Sequence, residues 1–225
     1  KKGKLLKTPR SIPVGFERAV TMYSLSFEEY LLARGFGEES LSLIRACFER
    51  REIVPDAVNA RFHGLLREYM VVGGMPAVVS AFVDRGHYGE VQALQEALVS
   101  DYIADIHKYA DKTDIPKVES CFRAIPRILS KENRKFKYAE VEARGTARKY
   151  LSSVEWIRDA RLATLAECVN VALPGLSGYV REEWFKLYLS DVGLLSSMFG
   201  MLTKRGLLDD TLKGNVKGGI YENLI

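Results

Sequence analysis

The sequence predicts a mainly α-helical protein with a small β component (mainly α, α+β), and three observations lead there. Residues 38–110 repeat apolar positions at helical spacing and contain no strand signal. Residues 115–189 read as three amphipathic helices followed by two short alternating segments. Residues 18–32 read as a strand, a sharp turn and a capped helix, which together make a βα unit of the kind found at the edge of an α/β sheet. At 225 residues, 47% hydrophobic and 28% charged, the chain has an ordinary globular composition and room for one large domain or two small ones.

Taken in order, Arg18–Leu25 mixes β-branched, aromatic and polar residues in near alternation, the pattern of a strand. Ser26-Phe27-Glu28-Glu29 has the form of a capping box opening a short helix through Leu32, which Gly35 and Gly37 end. Val58, Phe62, Leu65, Leu66 and Tyr69 then share one face of a helix that starts near Pro55 and stops at Gly73-Gly74. Pro76 opens another helix closed by Arg85-Gly86, and Val91, Leu94, Leu98, Tyr102 and Ile106 mark a long one. This predicts a bundle of about four helices.

A polar joint follows at Tyr109–Asp114, with Asp114 as the expected N-cap and Pro116 in the first turn. Val118, Phe122, Ile125 and Leu129 predict one helix; Phe136-Lys137-Tyr138 enters a second; Ala147, Leu151, Val154 and Ile157 line a third. Leu162–Val171 and Trp184–Leu189 read as strands around the loop Leu173–Gly178. Three helices and a two-stranded hairpin make the winged-helix arrangement, an elaborated helix-turn-helix. The last residues, 218–225, stop inside an apolar, helix-like pattern, so the expectation is a chain that continues.

Net charge is +4, distributed unevenly. Residues 1–10 carry five cations and no acid. Residues 131–149 carry Lys131, Arg134, Lys135, Lys137, Arg144, Arg148 and Lys149 against three acids, and the rest of the chain is net acidic. Local basic patches on an acidic body suggest a local anionic partner, duplex DNA for residues 131–149, or simply a solvated charged face. No apolar run reaches the roughly 18 residues that span a bilayer, so no membrane partner is expected. Cys47, Cys121 and Cys168 form no C-x-x-C, and a reducing cytoplasm suits three unpaired cysteines.

Catalytic signals are sparse. No G-x-x-x-x-G-K-[ST] occurs, and Gly3-Lys4 lacks both the upstream glycine and the following hydroxyl. His63, His87 and His107 fall on separate helices without i, i+4 pairing, so no metal site is predicted. Asp101 and Asp105 share a helix face, as many solvated acidic pairs do. Val72-Gly73-Gly74-Met75-Pro76 is the informative segment. Its glycines and proline fit first a plain helix–helix turn, and second a corner where backbone approaches a flat ligand and the proline ring offers it an apolar surface.

Several segments carry a family resemblance: Ser11–Gly15 (SIPVG), Tyr23–Leu31 (YSLSFEEYL), Leu66–Pro76 (LREYMVVGGMP), Lys108–Asp114 (KYADKTD), Lys131–Tyr138 (KENRKFKY), Leu189–Leu195 (LSDVGLL) and Tyr221–Asn223 (YEN). In this order they resemble bacterial and archaeal AAA-superfamily P-loop ATPases, related to the archaeal ATPase clan, that carry a domain of unknown function after the ATPase core. The resemblance implies four parts. Residues 1–37 would be the C-terminal end of the ATPase core, 38–110 a helical lid, 111–200 the winged-helix domain, and 201–225 a linker with the first helix of a nuclease-like domain. Gly74-Met75-Pro76 matches a G-x-P element that contacts the nucleotide base in that clan, which makes Gly73, Gly74, Met75 and Pro76 the expected cofactor-binding residues.

ATP with Mg²⁺ would then belong to a complete protein whose Walker A and Walker B segments lie upstream of Lys1; neither is expected to bind this chain tightly. Only the first helix of that nuclease-like domain, with Glu222, is begun; the nuclease motif's acidic and lysine residues have no counterpart here, so nuclease activity does not carry over. The expected partners are that P-loop domain, the nuclease-like domain and duplex DNA. The alternative is a non-catalytic scaffold whose winged helix packs on the ATPase core.

Overall fold

A computed structural model describes residues 20–225. The expectations placed on residues 1–19, namely the basic run, the Ser11–Gly15 segment and the first residues of the expected strand, lie outside them. Among the described residues the protein is mainly helical with one small antiparallel sheet. The helices are α1 (Phe27–Ala33), α2 (Glu38–Arg50), α3 (Asp56–Val72), α4 (Pro76–Arg85), α5 (Tyr88–Tyr109), α6 (Ile115–Leu129), α7 (Tyr138–Val141), α8 (Ala147–Asp159), α9 (Val192–Phe199), α10 (Met201–Leu208) and α11 (Gly214–Leu224). The strands are β1 (Ala163–Val169) and β2 (Val180–Leu189).

No strand forms at residues 20–25, which corrects the expectation for Arg18–Leu25 over its described part. Alternation specifies a strand only when a neighbouring strand accepts its hydrogen bonds. Here the Leu25 N–H donates instead to the Gly74 carbonyl at 2.7 Å, and the Tyr69 hydroxyl donates to the Leu25 carbonyl at 2.6 Å. The capping box does form. Ser26 Oγ accepts from the Glu29 N–H, and the Glu29 carboxylate accepts from the Ser26 N–H at 2.7 Å.

The chain forms two compact units, and it passes between them at residues 23/24, inside α5 at 97/98, and again at 190/191. The segment 38–110, read from sequence as one lid, is therefore shared between both. The corner unit holds residues 24–97 and 191–225. Its α3 packs against α1, α4, α9 and α10, while α11 packs on α9. Leu31, Phe36 and Leu41 form a buried cluster backed by Phe27, Val58, Phe62 and Leu65. Beside it, Glu68 accepts hydrogen bonds from Tyr30 at 2.8 Å and from Arg34 Nε at 2.7 Å, tying α1 to α3.

The hairpin unit holds residues 20–23 and 98–190 among those described. Amphipathic α6 buries Val118, Phe122, Ile125 and Leu129, all four predicted from their spacing, and packs against α8 and β2. Asp114 sits at the α6 N-cap position but makes no capping bond; its carboxylate takes Lys117 Nζ at 3.0 Å instead. α8 buries Val154 and Ile157 as expected and leaves Leu151 exposed. β1 and β2 pair from Ala163↔Leu189 outward, with an irregularity between Glu167 and Cys168. Glu167 pairs with Phe185 and Cys168 with Arg181, so residues 182–184 bulge out of the ladder.

Candidate functional site

In the hairpin unit, the chain runs from α6 through a loop to α7, turns tightly, and enters α8. The turn needs Gly145, where a Cβ would meet the Tyr138 carbonyl oxygen at 2.2 Å. Its N–H donates to the Glu142 backbone carbonyl at 2.8 Å, and Arg144 just before it has φ 65. Every one of the seven predicted cations lies on this stretch, but they differ in what holds them. Lys131 Nζ pairs with Glu140 at 2.6 Å, and Lys149 pairs with Glu142, which also accepts from the Tyr150 hydroxyl. Those hydrogen bonds hold the Glu140 and Glu142 carboxyls below the usual range and raise Lys149. Arg134 turns back and donates through Nε to the Leu129 carbonyl at 3.1 Å, closing the end of α6. Lys137, Arg144 and Arg148 are exposed.

Lys135 has a different partner. Its ammonium lies 3.7 Å from the centroid of the Trp184 ring, and the Arg181 guanidinium lies 5.1 Å from that same centroid. Neither Trp184 nor Arg181 was singled out from the sequence. The signal that finds Trp184 is register: a large aromatic stands where the hairpin ladder slips.

In the corner unit, the Gly73-Gly74 turn is enclosed by the chain itself. Gly73 has φ 75, and a Cβ on it would meet Asp191 Oδ1 at 2.2 Å and the Gly193 backbone at 2.9 Å. A Cβ on Gly74 would meet the Leu25 carbonyl oxygen at 2.1 Å, and one on Gly193 the Gly73 nitrogen at 2.6 Å. A Cβ at either corner glycine would thus collide with the chain itself, at Gly73 with the Asp191 carboxylate and the Gly193 backbone and at Gly74 with the Leu25 backbone, as the plain-turn alternative expects. Met75 is half-buried, and Pro76 is exposed at the first position of α4.

Asp191 organises this corner. Its carboxylate caps α9 by accepting the Leu194 N–H at 3.0 Å and accepts the Gly74 N–H at 2.7 Å. Burial pushes its pKa up, against the opposing pull of these hydrogen bonds. The last carbonyls of α3 have no helical partner. Gln95 Nε2 supplies one to Val71 at 3.1 Å and to Val72 at 2.8 Å, and Ser196 Oγ adds a bond to Val71 at 3.4 Å. Gln95 Oε1 in turn accepts from Lys204 Nζ. Lys204 is 1% exposed, and desolvation lowers its pKa to about 8. The sequence placed Lys204 in an expected linker, marked Asp191 and Gly193 only within the resembling segment Leu189–Leu195, and did not mark Gln95 or Ser196. Only Asp191, a good capping residue before an apolar run, carried a readable signal.

Among the described residues no group of three or more His, Cys, Asp or Glu is placed to hold a metal ion, and no helix is long and apolar enough to cross a membrane. A family model described as Domain of unknown function (DUF8612) matches residues 63–205, more than half of the chain. No curated protein and no solved structure matches it.

Proposed function

The chain belongs to the DUF8612 family, and for it we propose the role of the lid and winged-helix portion of an ATP-binding ATPase of the AAA superfamily. In this role the hairpin unit is the winged helix and contacts duplex DNA. The observation that carries the reading is the order α6–α7–α8–β1–β2, with a tight Gly145 turn before α8 and exposed Arg148 and Lys149 in the first turn of α8. A helix that opens with exposed cations, after such a turn, is the element that a helix-turn-helix presents to the major groove. Arg144 and Lys137 add phosphate contacts around it.

Nucleotide contact would fall to Met75 and Pro76, the outward residues of the corner. Gly73 and Gly74 serve its packing. The residues present fit a contact to a base and not one to phosphates or Mg²⁺, so ATP turnover is assigned to the P-loop domain of a complete protein. Residues 1–225 by themselves are expected to turn over no ATP. Activity above a buffer blank that survives repurification would overturn that assignment.

The test is binding of a short labelled duplex as a function of salt. Each phosphate contact contributes about −0.9 to the log–log slope, so replacing Arg148 and Lys149 together by Ala flattens the slope by up to about 1.8. A second reading, the protein-interaction scaffold, is favoured by one observation: Lys131 and Lys149 are already paired with Glu140 and Glu142. Absence of duplex binding at low salt would select it.

A further inference from the structure

We propose that Trp184 is a positioning residue that pins Lys135 and Arg181 as a ready-made phosphate clamp at the base of the hairpin, a contact to the phosphodiester backbone separate from α8. The proposal rests on the DNA-binding reading above and names a second point of contact for it.

Three independent features build the clamp. The first is the ladder slip, which pushes residues 182–184 out of pairing and leaves the Trp184 indole 43% exposed on a strand whose neighbours Phe185, Leu187 and Leu189 are buried. Bulges re-aim side chains, and an aromatic of this size gains nothing in core packing by standing outside. The second is that two cations from separate elements share its ring, Lys135 from the α6–α7 loop at 3.7 Å and Arg181 from β2 at 5.1 Å. An indole face attracts a cation through its quadrupole and holds it without neutralising its charge, unlike a carboxylate. That separates Lys135 from Lys131 and Lys149, which acids hold.

The third feature is the anchoring of the loop that delivers Lys135. Phe136 is buried, its N–H donates to the Phe185 carbonyl at 2.9 Å, and its ring stacks on Phe185 with centroids 5.4 Å apart. Lys135 therefore leaves a fixed backbone point, and the indole fixes its far end. Beyond the clamp, residues 168–181 contain Arg181 as their only charge, so no acid on the outer hairpin repels a phosphate. Glu183, exposed beside Trp184, is the one described anionic neighbour on the bulge.

The experiment is a double-mutant cycle on duplex binding with the full chain, with Trp184→Leu and Trp184→Phe each combined with Lys135→Ala. In the wild type, Lys135→Ala reduces the log–log salt slope by about 0.9. In the Trp184→Leu background the same change has less than half that effect, because the cation is no longer held. Trp184→Phe restores the coupling in part, as a smaller ring of the same chemistry must. Glu183→Gln strengthens binding. Additive effects of Trp184→Leu and Lys135→Ala overturn the clamp while leaving the DNA reading in place. The chain has two tryptophans, so a companion titration in a Trp156→Phe background, which leaves Trp184 alone, follows Trp184 emission with inorganic tripolyphosphate. If the duplex does not bind but tripolyphosphate saturates a Lys135- and Arg181-dependent signal, the clamp stands and DNA is the wrong anion. If neither ligand gives a signal, the clamp is overturned together with the DNA reading.

Discussion

The glycine corner and the basic segment contrast in where their polar groups go. At the corner, Asp191, Gln95, Ser196 and Lys204 are buried and spend their hydrogen bonds on the backbone of α3 and α9 or on one another. On the basic segment, Lys137, Arg144 and Arg148 stand in solvent, and the pairs that form are exposed. The same kind of residue thus costs or contributes very different amounts in the two places. A buried polar group left without its partner destabilises by about 1–3 kcal/mol, while an exposed ion pair contributes about 0–1 kcal/mol. The corner should therefore govern stability, and the basic segment should govern binding with little effect on stability.

The largest expected effect is at Gly74. Gly74→Val drives a side chain into the Leu25 carbonyl, whose oxygen lies 2.1 Å from the Cβ position. Neither backbone segment can yield cheaply, so chemical denaturation should show a loss of about 4 kcal/mol or more. A loss near 1 kcal/mol would mean that the corner is loose and would blur the contrast.

Asp191→Ala comes next. It leaves the Gly74 and Leu194 N–H groups without acceptors in a buried site, and should cost about 2–4 kcal/mol. Asp191→Asn keeps one acceptor and should cost less. Equal losses in the two variants would show that the charge, not the hydrogen bonding, is what the corner uses.

Lys204 gives a pH test with a defined sign. Its pKa falls from the 10.5 of a fully solvated lysine to about 8 in the folded chain, chiefly by desolvation. Between those two values the unfolded chain binds more protons than the folded one, so stability rises with pH. The contribution is complete above about 10.5 and is lost as pH falls to 8. The slope is at most about 1.4 kcal/mol per pH unit. Lys204→Met should remove this slope; near pH 7 the relief of a desolvated charge is opposed by about 1–3 kcal/mol for Gln95 Oε1 left without its donor. Denaturation of both proteins at about pH 7.5 and about pH 9.5, values on either side of the folded pKa, checks it; parallel pH profiles would break the assignment.

Much of this contrast was hidden from the sequence, for a physical reason. Helical periodicity and caps are local, so α1 with its capping box, the helices from α2 to α6, and the hairpin were all legible. The corner is not local: Asp191 and Gly193 reach Gly73 and Gly74 across more than a hundred residues, and no spacing rule encodes that return. The glycines were visible as a sharp turn, but the atoms that make them necessary were not. Lys204 sits among Leu202, Leu207 and Leu208 in a segment read as linker, where a lone lysine looks like surface. The strand expected at Arg18–Leu25 failed over its described part because alternation cannot supply a pairing partner. For the basic segment, the cluster of cations was legible, but its division into acid-paired, backbone-bound and indole-held members depends on side-chain geometry.

The smallest stability effects belong to that segment. Lys149→Ala and Glu142→Gln should each change unfolding free energy only slightly, since the pair is exposed. Glu142→Gln should nevertheless strengthen duplex binding by releasing Lys149. A large loss of stability in either would show that the α7–α8 turn depends on this pair.

The winged-helix reading is tested most directly by the salt dependence of duplex binding by the intact chain, with and without Arg148 and Lys149. The expected result is saturable binding at low salt, with a log–log slope of about −2 or steeper that becomes shallower in the Arg148→Ala/Lys149→Ala double variant while its melting temperature is unchanged. No binding at low salt, or a slope that the double variant leaves unaltered, would contradict it.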